Sequence, residues 1–514
     1  MRSHACKGHD FHRAGQAQKS VGAFSPVGRF LLFALALLVP FTALPAPAQQ
    51  EKPWEKIPIP PLKEFKPQQP KRIPLKNGIV IFLQEDHELP FVSGSVLIPG
   101  GSRDEDPAKT GLVDLYGQTW RTSGTAKMDG DALDDLLAAK AAHIETGGGS
   151  NSTYLSWDSL KADADQVFSL AMDLLFHPKF NEEKLRLAQQ QEATGIVRRN
   201  DDEGQIAERE AAKLVYGPDS PYTRQAELAT IGKVTIADLE AWHDHTIGNR
   251  LIIGISGDFD PADMEAKLRA AFDKLPPARP LPPRHDTFHE PKQAVYFIQK
   301  EDVTQSNVQI VGLGTDRHNP DVPALAVMNG ILGGGNFSSR LFQKIRTEMG
   351  LAYAVDGAYG FGYDYPAMFR VMVLTKSEST VDATKLAMDE IAGLTTRPFT
   401  EEELKRAKDN ILNQFLFLYD TKEKVLGEQE RLEFYGYPAD YLEKYETALK
   451  NVTLADITAA AKKYIHPKDL AVLVVGNGPD IKPPLDALSL GPVHPIDITI
   501  PQPGQRPGAA EKEQ

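Results

Sequence analysis

A repeat with an offset of about 219 residues constrains the fold of this chain more than any other feature. The segment Phe180–Ala188 (FNEEKLRLA) reappears as Phe399–Ala407 (FTEEELKRA). The segments Val234–Leu239 and Val452–Ile457 keep the same offset to within one residue. Solenoid and propeller repeats are only about 20–50 residues long, so each copy here must be a whole domain with its own core. The sequence therefore predicts a tandem duplication.

Each copy is predicted to contain both strands and helices. Gly78–Leu83 has the apolar, β-branched composition of a strand, and Leu251–Ile255 and Leu470–Val475 are the predicted closing strands of the two copies. Asn181 and Thr400 stand where helix N-caps belong, each followed by glutamates. This order predicts an α+β fold of two tandem homologous domains, each a mixed, largely antiparallel sheet with helices packed on one face.

The N-terminus is typical of a secretory signal peptide over residues 1–48. Basic residues up to Arg29 precede the apolar stretch Phe30–Ala43 and the small residues Ala46–Ala48. The apolar stretch is shorter than the roughly 20 residues that span a bilayer, although an uncleaved anchor is the alternative. We therefore expect a periplasmic or otherwise secreted protein with no stable membrane insertion after signal cleavage.

Composition divides the rest of the chain. The predicted segments are a Pro-rich linker (49–71), a first domain (72–276), a second Pro-rich linker (277–291), a second domain (292–482) and a disordered tail (483–514). A formal net charge of −13 argues against nucleic acid as a partner. Cys6 is the only cysteine, so the mature chain is expected to have neither a disulfide nor a thiol nucleophile.

Motifs in both copies resemble one family of zinc peptidases. Gly100–Pro107 (GGSRDEDP), followed by Thr110–Leu112, is similar to the start of the pitrilysin and insulinase family, to which mitochondrial processing peptidase belongs. In the second copy Gly333–Phe342 (GGGNFSSRLF) and Gly350–Tyr353 (GLAY) extend the resemblance, which covers residues 73–476. The resemblance implies the two-domain fold of these peptidases.

The zinc-binding box of that family is missing from this chain. In active members a helix carries His-x-x-Glu-His, which supplies two zinc ligands and a general base, and a later helix supplies a third ligand. At these positions the chain has Asp114, Gly117 and Gln118, and then Gly195. The nearby Glu192 adds a carboxylate, but an amide is a poor zinc ligand and glycine supplies no base. We therefore expect no catalytic residue and no metal in this chain.

A substrate-binding pair survives in the second copy. The resemblance implies that Arg346 and Tyr353 contact the substrate peptide from the second domain, since an arginine fork and a phenol can both donate to carbonyl oxygens. The alternative is that Arg346 pairs with Glu348 and Tyr353 fills the core. A glycine-rich loop either opens beside the pair or ends a helix with positive φ angles. Its members are Gly333, Gly334 and Gly335.

Two further patterns have structural interpretations. His243 and His245 lie two apart in a helical stretch, so they do not share a face, and we expect both to be exposed. A run of alternating aromatic residues predicts one face of a strand that forms core or cavity wall. These residues are Tyr359, Phe361, Tyr363 and Tyr365.

The resemblance also implies a role for the whole chain. In some members of the family the cavity is shared by two chains, of which only one carries the zinc box. We therefore expect a non-catalytic, substrate-binding subunit that pairs with a zinc-bearing homologue, as a hetero-oligomer such as a heterodimer, to degrade or process peptides. Zinc is expected in the partner only. The alternatives are a non-enzymatic envelope scaffold of the same fold and a stand-alone metallopeptidase with an atypical metal site.

Overall fold

The computed structural model describes residues 67–280, 286–334 and 337–502. The predicted signal peptide (1–48), most of the first linker (49–66) and Gly335 lie outside the described residues. Within the described ranges, no helix is both long enough and apolar enough to cross a membrane.

The first repeat builds one mixed sheet and a set of helices. Its strands are β1 (Lys71–Pro74), β2 (Val80–Glu85), β3 (Phe91–Pro99), β4 (His143–Gly148), β5 (Ser152–Leu160) and β6 (Ile252–Gly257). Its helices are α1 (Leu112–Ser123), α2 (Gly130–Lys140), α3 (Ala164–Phe176), α4 (Glu182–Arg198), α5 (Glu203–Tyr216), α6 (Leu228–Ile231), α7 (Ile236–Ile247) and α8 (Pro261–Phe272).

The second repeat builds an equivalent sheet. Its strands are β7 (Val295–Gln299), β8 (Gln305–Leu313), β9 (Thr315–Asp316), β10 (Ala352–Tyr359), β11 (Phe361–Gly362), β12 (Met368–Lys376), β13 (Ala471–Gly476) and β14 (Val493–Pro495). Its helices are α9 (Val322–Leu332), α10 (Thr380–Thr396), α11 (Glu401–Leu416), α12 (Lys422–Tyr435), α13 (Tyr441–Asn451) and α14 (Leu454–Tyr464). Phe342–Glu348 forms a π-helical segment between α9 and β10.

The two sheets share one topology except at one edge, where β1 is antiparallel to β2 but β14 is parallel to β7. The first has the strand order β1-β2-β6-β3-β5-β4, and the second has the order β14-β7-β13-β8-β12-β10 when read from its corresponding edge. β2 pairs in parallel with β6, as β7 does with β13, and the inner neighbours of both sheets are otherwise antiparallel. β9 and β11 form a separate parallel pair. The predicted α+β fold with two mixed sheets is confirmed.

The helix caps repeat as the sequence predicts. The Asn181 side chain accepts a hydrogen bond from the Glu183 amide at the start of α4, at 2.7 Å. Thr400 opens α11 with a capping box, in which its hydroxyl accepts from the Glu403 amide and the Glu403 carboxylate accepts from the Thr400 amide. Both caps satisfy amides that have no partner inside the helix.

Part of the predicted disordered tail is ordered, so that prediction is wrong for residues 485–495. Leu485 and Leu488 are buried against the core of the second repeat. β14 then pairs in parallel with β7, with Val493 opposite Val295. It takes the edge position that β1 takes in the first sheet. The Pro and Gly content of the tail concealed these apolar residues, which complete an otherwise open sheet edge.

One helix of each repeat packs on the sheet of the other. Each sheet has a core on the face that its own repeat covers. On the opposite face of the second sheet lie Ile206 and Ala211 of α5, and on the opposite face of the first sheet lies Leu426 of α12. α5 and α12 occupy equivalent positions, since Glu203 and Lys422 are separated by the repeat offset. This exchange joins the repeats through two additional apolar layers.

Candidate functional site

Helix α1 carries the positions of the missing zinc box. Its N-terminus is held by the buried Glu105, whose carboxylate accepts hydrogen bonds from the amides of Gly111 and Val113 at 3.0 and 3.1 Å. Asp114 and Gln118 are exposed and one turn apart, so they share a face of the helix. The helix therefore forms where the resemblance implies, but Asp114 and Gln118 stand in place of the two histidine ligands.

Gly117 stands at the position of the family's general base, where backbone packing leaves no room for a side chain. A Cβ atom added at Gly117 would lie 2.8 Å from the Cα atom of Gly147 in β4, which is closer than real Cβ contacts allow. The Thr146 hydroxyl also donates to the Gly117 carbonyl at 2.7 Å and accepts from the Arg121 amide at 3.2 Å. These two backbone groups are one helical turn apart, so the hydroxyl bridges them. A glutamate at Gly117 would have to push α1 away from β4.

The position of the third ligand is open by comparison. A Cβ atom added at Gly195 of α4 would meet no atom within 4 Å. Desolvation raises the pKa of Asp114, although its side chain is accessible. Desolvation also raises the pKa of Glu192, and the charge of Asp114 raises it further. The two carboxyl groups thus interact across the site of the lost zinc ligands.

The residues at this site do not fit zinc. Asp114, Gln118 and Glu192 offer oxygen donors only, whereas protein zinc sites use mainly imidazole and thiolate. Across the described residues, no group of three or more His, Cys, Asp or Glu side chains is arranged to hold a metal ion. No imidazole lies among these positions, and Gly117 offers no side chain for a base.

His243 is buried, contrary to the sequence-based expectation, whereas His245 is exposed. The Nδ1 atom of His243 lies 2.9 Å from the Tyr116 hydroxyl on α1, and its ring contacts Trp120 and Phe180. Burial lowers the pKa of His243 to about 4, so its ring is neutral. The spacing of the two histidines showed that they point in different directions, but not that one of them points into the core beneath α1.

The structure brings Arg346 and Tyr353 together on the surface. The guanidinium carbon of Arg346 lies 5.8 Å from the centre of the Tyr353 ring and 4.8 Å from that of Phe342. Tyr353 is 70% exposed. Glu348 instead accepts from Lys344 at 2.8 Å. The alternative in which Arg346 pairs with Glu348 and Tyr353 fills the core is therefore wrong.

Irregular backbone presents both side chains. Arg346 lies in the π-helical segment, and such segments often occur at functional sites. Tyr353 is the extra residue of a bulge in β10, since Ala352 and Ala354 pair with the consecutive residues Thr375 and Leu374 of β12. A bulge turns the side chain of its extra residue away from the regular pattern of the strand. β10 is also an edge strand.

The surface around this pair is apolar and exposed. Phe337 is 73% exposed and packs edge-on against Phe342, and Met349 is 50% exposed. Exposed aromatic groups beside an arginine are typical of a surface that binds another molecule. We call this group, Phe337, Phe342, Arg346, Met349 and Tyr353, the Arg346 surface.

The glycines before this surface end a helix. The amides of Gly333 and Gly334 both donate to the Asn329 carbonyl, at 3.0 and 2.8 Å. Gly333 has φ −156°, so the expected need for positive φ is wrong at this position. A Cβ atom at Gly333 would lie 2.5 Å from the amide nitrogen of Gly357 in β10, which explains the absence of a side chain.

The alternating aromatic run divides between the core and the contact between repeats. Tyr359 is buried in the second core. Tyr363 stacks on Tyr435 of α12 at 4.7 Å, and Tyr365 stacks on Tyr222 of the first repeat at 4.1 Å. The Tyr365–Tyr222 stack joins the two repeats, whereas Tyr363 and Tyr435 both belong to the second repeat.

Fold and site together define a class of protein: two homologous α+β repeats in which Asp114, Gly117 and Gln118 stand at the positions of a His-x-x-Glu-His box. Comparisons agree with this class. The family model described as the peptidase M16 inactive domain matches residues 233–411. A relative from Helicobacter pylori, named non-peptidase homolog YmxG, is 22% identical over 407 residues, which cover 78% of this chain and 92% of the relative.

Two further comparisons extend this similarity. An uncharacterized zinc protease from Streptomyces coelicolor is 28% identical over 350 residues, covering 66% of this chain and 74% of the relative. The crystal structure of a peptidase M16 inactive domain from Pseudomonas fluorescens superposes with a TM-score of 0.70 at 24% identity, covering 79% of this chain and 98% of that structure. Over 66–79% of its length the chain is thus similar to proteins named zinc protease, non-peptidase homolog or peptidase M16 inactive domain, in agreement with its motifs.

Proposed function

We propose that this chain is the non-catalytic, peptide-binding subunit of a secreted or periplasmic zinc peptidase, and that it pairs with a homologue that carries the zinc box. The partner supplies the zinc and the general base. This chain supplies Arg346 and Tyr353, which orient the substrate peptide by donating hydrogen bonds to its carbonyl oxygens.

One observation carries the proposal: Arg346 and Tyr353 are adjacent and accessible, while the box positions of the same chain have no metal-binding set. Exposed aromatic surface is unfavourable unless it binds something. A bound peptide or a partner would cover the Arg346 surface.

Reconstitution tests this proposal. The full chain is mixed with a homologue that has an intact His-x-x-Glu-His box and is encoded in the same genome, and cleavage of a fluorogenic peptide is followed. We expect little cleavage by either protein alone and strong cleavage by a stoichiometric complex. A complex whose activity equals that of the zinc-bearing protein alone would favour the scaffold alternative. Chelator-sensitive cleavage by this chain alone would favour the stand-alone peptidase.

A further inference from the structure

A cleft of ≈ 500 Å³ opens between the repeats and shares no residue with the box positions or with the Arg346 surface. One wall is the β2–β3 turn of the first repeat, with Leu89 and Phe91. The other wall is formed by Tyr419 and the first turn of α12, with Val425. A volume of this size is typical of a site for a small ligand or a few side chains.

The walls of this cleft expose large apolar side chains. Leu89 is 69% exposed and Phe91 is 38% exposed. Leu416, Phe417 and Leu418, immediately before Tyr419, are 36%, 68% and 55% exposed. Consecutive exposed apolar residues beside a cleft indicate a surface that is covered in function.

The charges of the cleft are predominantly negative. Asp86 pairs with Lys422 at 2.9 Å, and Asp420 pairs with Lys424 at 2.7 Å, so these four side chains neutralise one another. Glu88 and Glu423 also line the cleft, and neither has a cationic partner among the described residues. The Ser256 hydroxyl donates to Glu423 at 3.3 Å, which leaves its negative charge in place.

From this charge and shape we infer that the cleft is a docking site for a segment of another protein that carries apolar side chains flanked by lysine or arginine. The apolar walls would bury the apolar side chains of the segment. Glu88 and Glu423 would pair with the flanking cations. The cleft should therefore bind a basic segment more tightly than an acidic one.

Fluorescence anisotropy tests this inference on the full chain. The probe is a fluorescein-labelled peptide, Gly-Ser-Lys-Leu-Phe-Leu-Lys-Ser-Gly, and the comparison peptide has Glu in place of both Lys. We expect the basic probe to bind and the acidic peptide to bind at least tenfold more weakly. Reversing the charge of one partner in two exposed ion pairs raises Kd about tenfold. The double variant Glu88→Lys/Glu423→Lys should therefore raise the Kd of the basic probe by about that factor. Leu89→Ser should weaken both peptides.

Two controls separate the cleft from other surfaces. Glu443→Lys reverses an exposed carboxylate on α13, outside the cleft, and should leave binding unchanged. Val197→Ser, which removes an exposed apolar side chain of α4 outside the cleft, should also leave it unchanged. Equal binding of both peptides, an unchanged Kd in Glu88→Lys/Glu423→Lys, or loss of binding in Val197→Ser would each overturn the inference. So would concentration-dependent dimerisation that Leu89→Ser abolishes, because the cleft would then bind a second copy.

Discussion

The guanidinium carbon of Arg346 lies 5.8 Å from the centre of the Tyr353 ring, and both side chains are exposed. A cation this close to an aromatic ring is attracted to its face, but the attraction is weak at an exposed site. The contact therefore positions the two donors relative to each other more than it stabilises the fold. Removing either side chain should therefore have little effect on the stability of the fold.

We predict that Arg346→Ala and Tyr353→Phe change the free energy of unfolding by less than about 1 kcal/mol, because exposed cation–π contacts contribute about that much or less. Urea unfolding followed by circular dichroism measures this. Tyr359→Ala is the matched control, since Tyr359 is buried in the second core and its truncation should cost about 3–5 kcal/mol, as for other buried aromatic residues. A loss in Arg346→Ala as large as that in Tyr359→Ala would assign Arg346 a structural role.

The two glycines at box positions should respond to alanine in opposite ways. Gly195→Ala should stabilise the protein by about 0.5–1 kcal/mol, because alanine favours a helix and its Cβ meets no neighbour. Gly117→Ala should destabilise it despite the same gain, because its Cβ would press on the backbone of β4 at Gly147. Thermal unfolding of both variants measures the difference. Stabilisation by Gly117→Ala would show that α1 can move away from β4.

Stability should depend on pH through a half-buried carboxyl group of α12. Glu430 lies over Gly254 of the first sheet and accepts from the Ser95 hydroxyl at 2.8 Å. Burial raises the pKa of Glu430 to about 7 from an ordinary value near 4.5. Since the unfolded chain ionises first as the pH rises, the stability that the neutral carboxyl contributes is present below about pH 4.5 and is lost by about pH 7.

The variant Glu430→Gln isolates this contribution. At pH 5 its free energy of unfolding should be close to that of the wild type. At pH 8 the variant should be more stable, by on the order of 3 kcal/mol at most, since one pKa unit corresponds to about 1.4 kcal/mol. Urea unfolding at both pH values measures the two differences. The same difference at pH 5 and pH 8 would mean that Glu430 does not titrate between them.

The exchange of α5 and α12 predicts that the repeats are incomplete when separated. A fragment of residues 67–280 leaves the apolar face of β2 and β6 without α12, and it leaves α5 without the second sheet. We expect each of the fragments 67–280 and 286–502 to bind more of a hydrophobic dye such as anilinonaphthalene sulfonate than the full chain does. Fixed tertiary structure in both fragments, seen as native near-ultraviolet circular dichroism without dye binding, would contradict this prediction.

Much of the fold could be predicted from sequence because it depends on local patterns. The offset between Phe180 and Phe399 identified the repeats, and α4 and α11 begin at the predicted caps Asn181 and Thr400. The exchange of α5 and α12 could not be predicted, because a repeat shows that two helices are equivalent but not which sheet each covers. β14 was missed for a related reason, since its position depends on an open edge elsewhere in the chain.

The site was predictable to a similar extent. Asp114 and Gln118 showed the loss of zinc ligands directly, because the chemistry depends on side-chain identity. The closure of α1 on β4 was not visible, although the glycines at 147 and 148 and the hydroxyl of Thr146 are the residues that allow it. The burial of His243 depends on its contact with Tyr116, which is distant in sequence.

The most direct test of the proposed function is the kcat/KM for peptide cleavage by the complex of this chain with its zinc-bearing homologue. With equal amounts of complex confirmed by size-exclusion chromatography, Arg346→Ala and Tyr353→Phe in this chain should each lower kcat/KM at least tenfold, since each removes a donor to the peptide. The zinc content of the complex should not change. A kcat/KM equal to that of the wild-type complex in both variants would contradict the proposal.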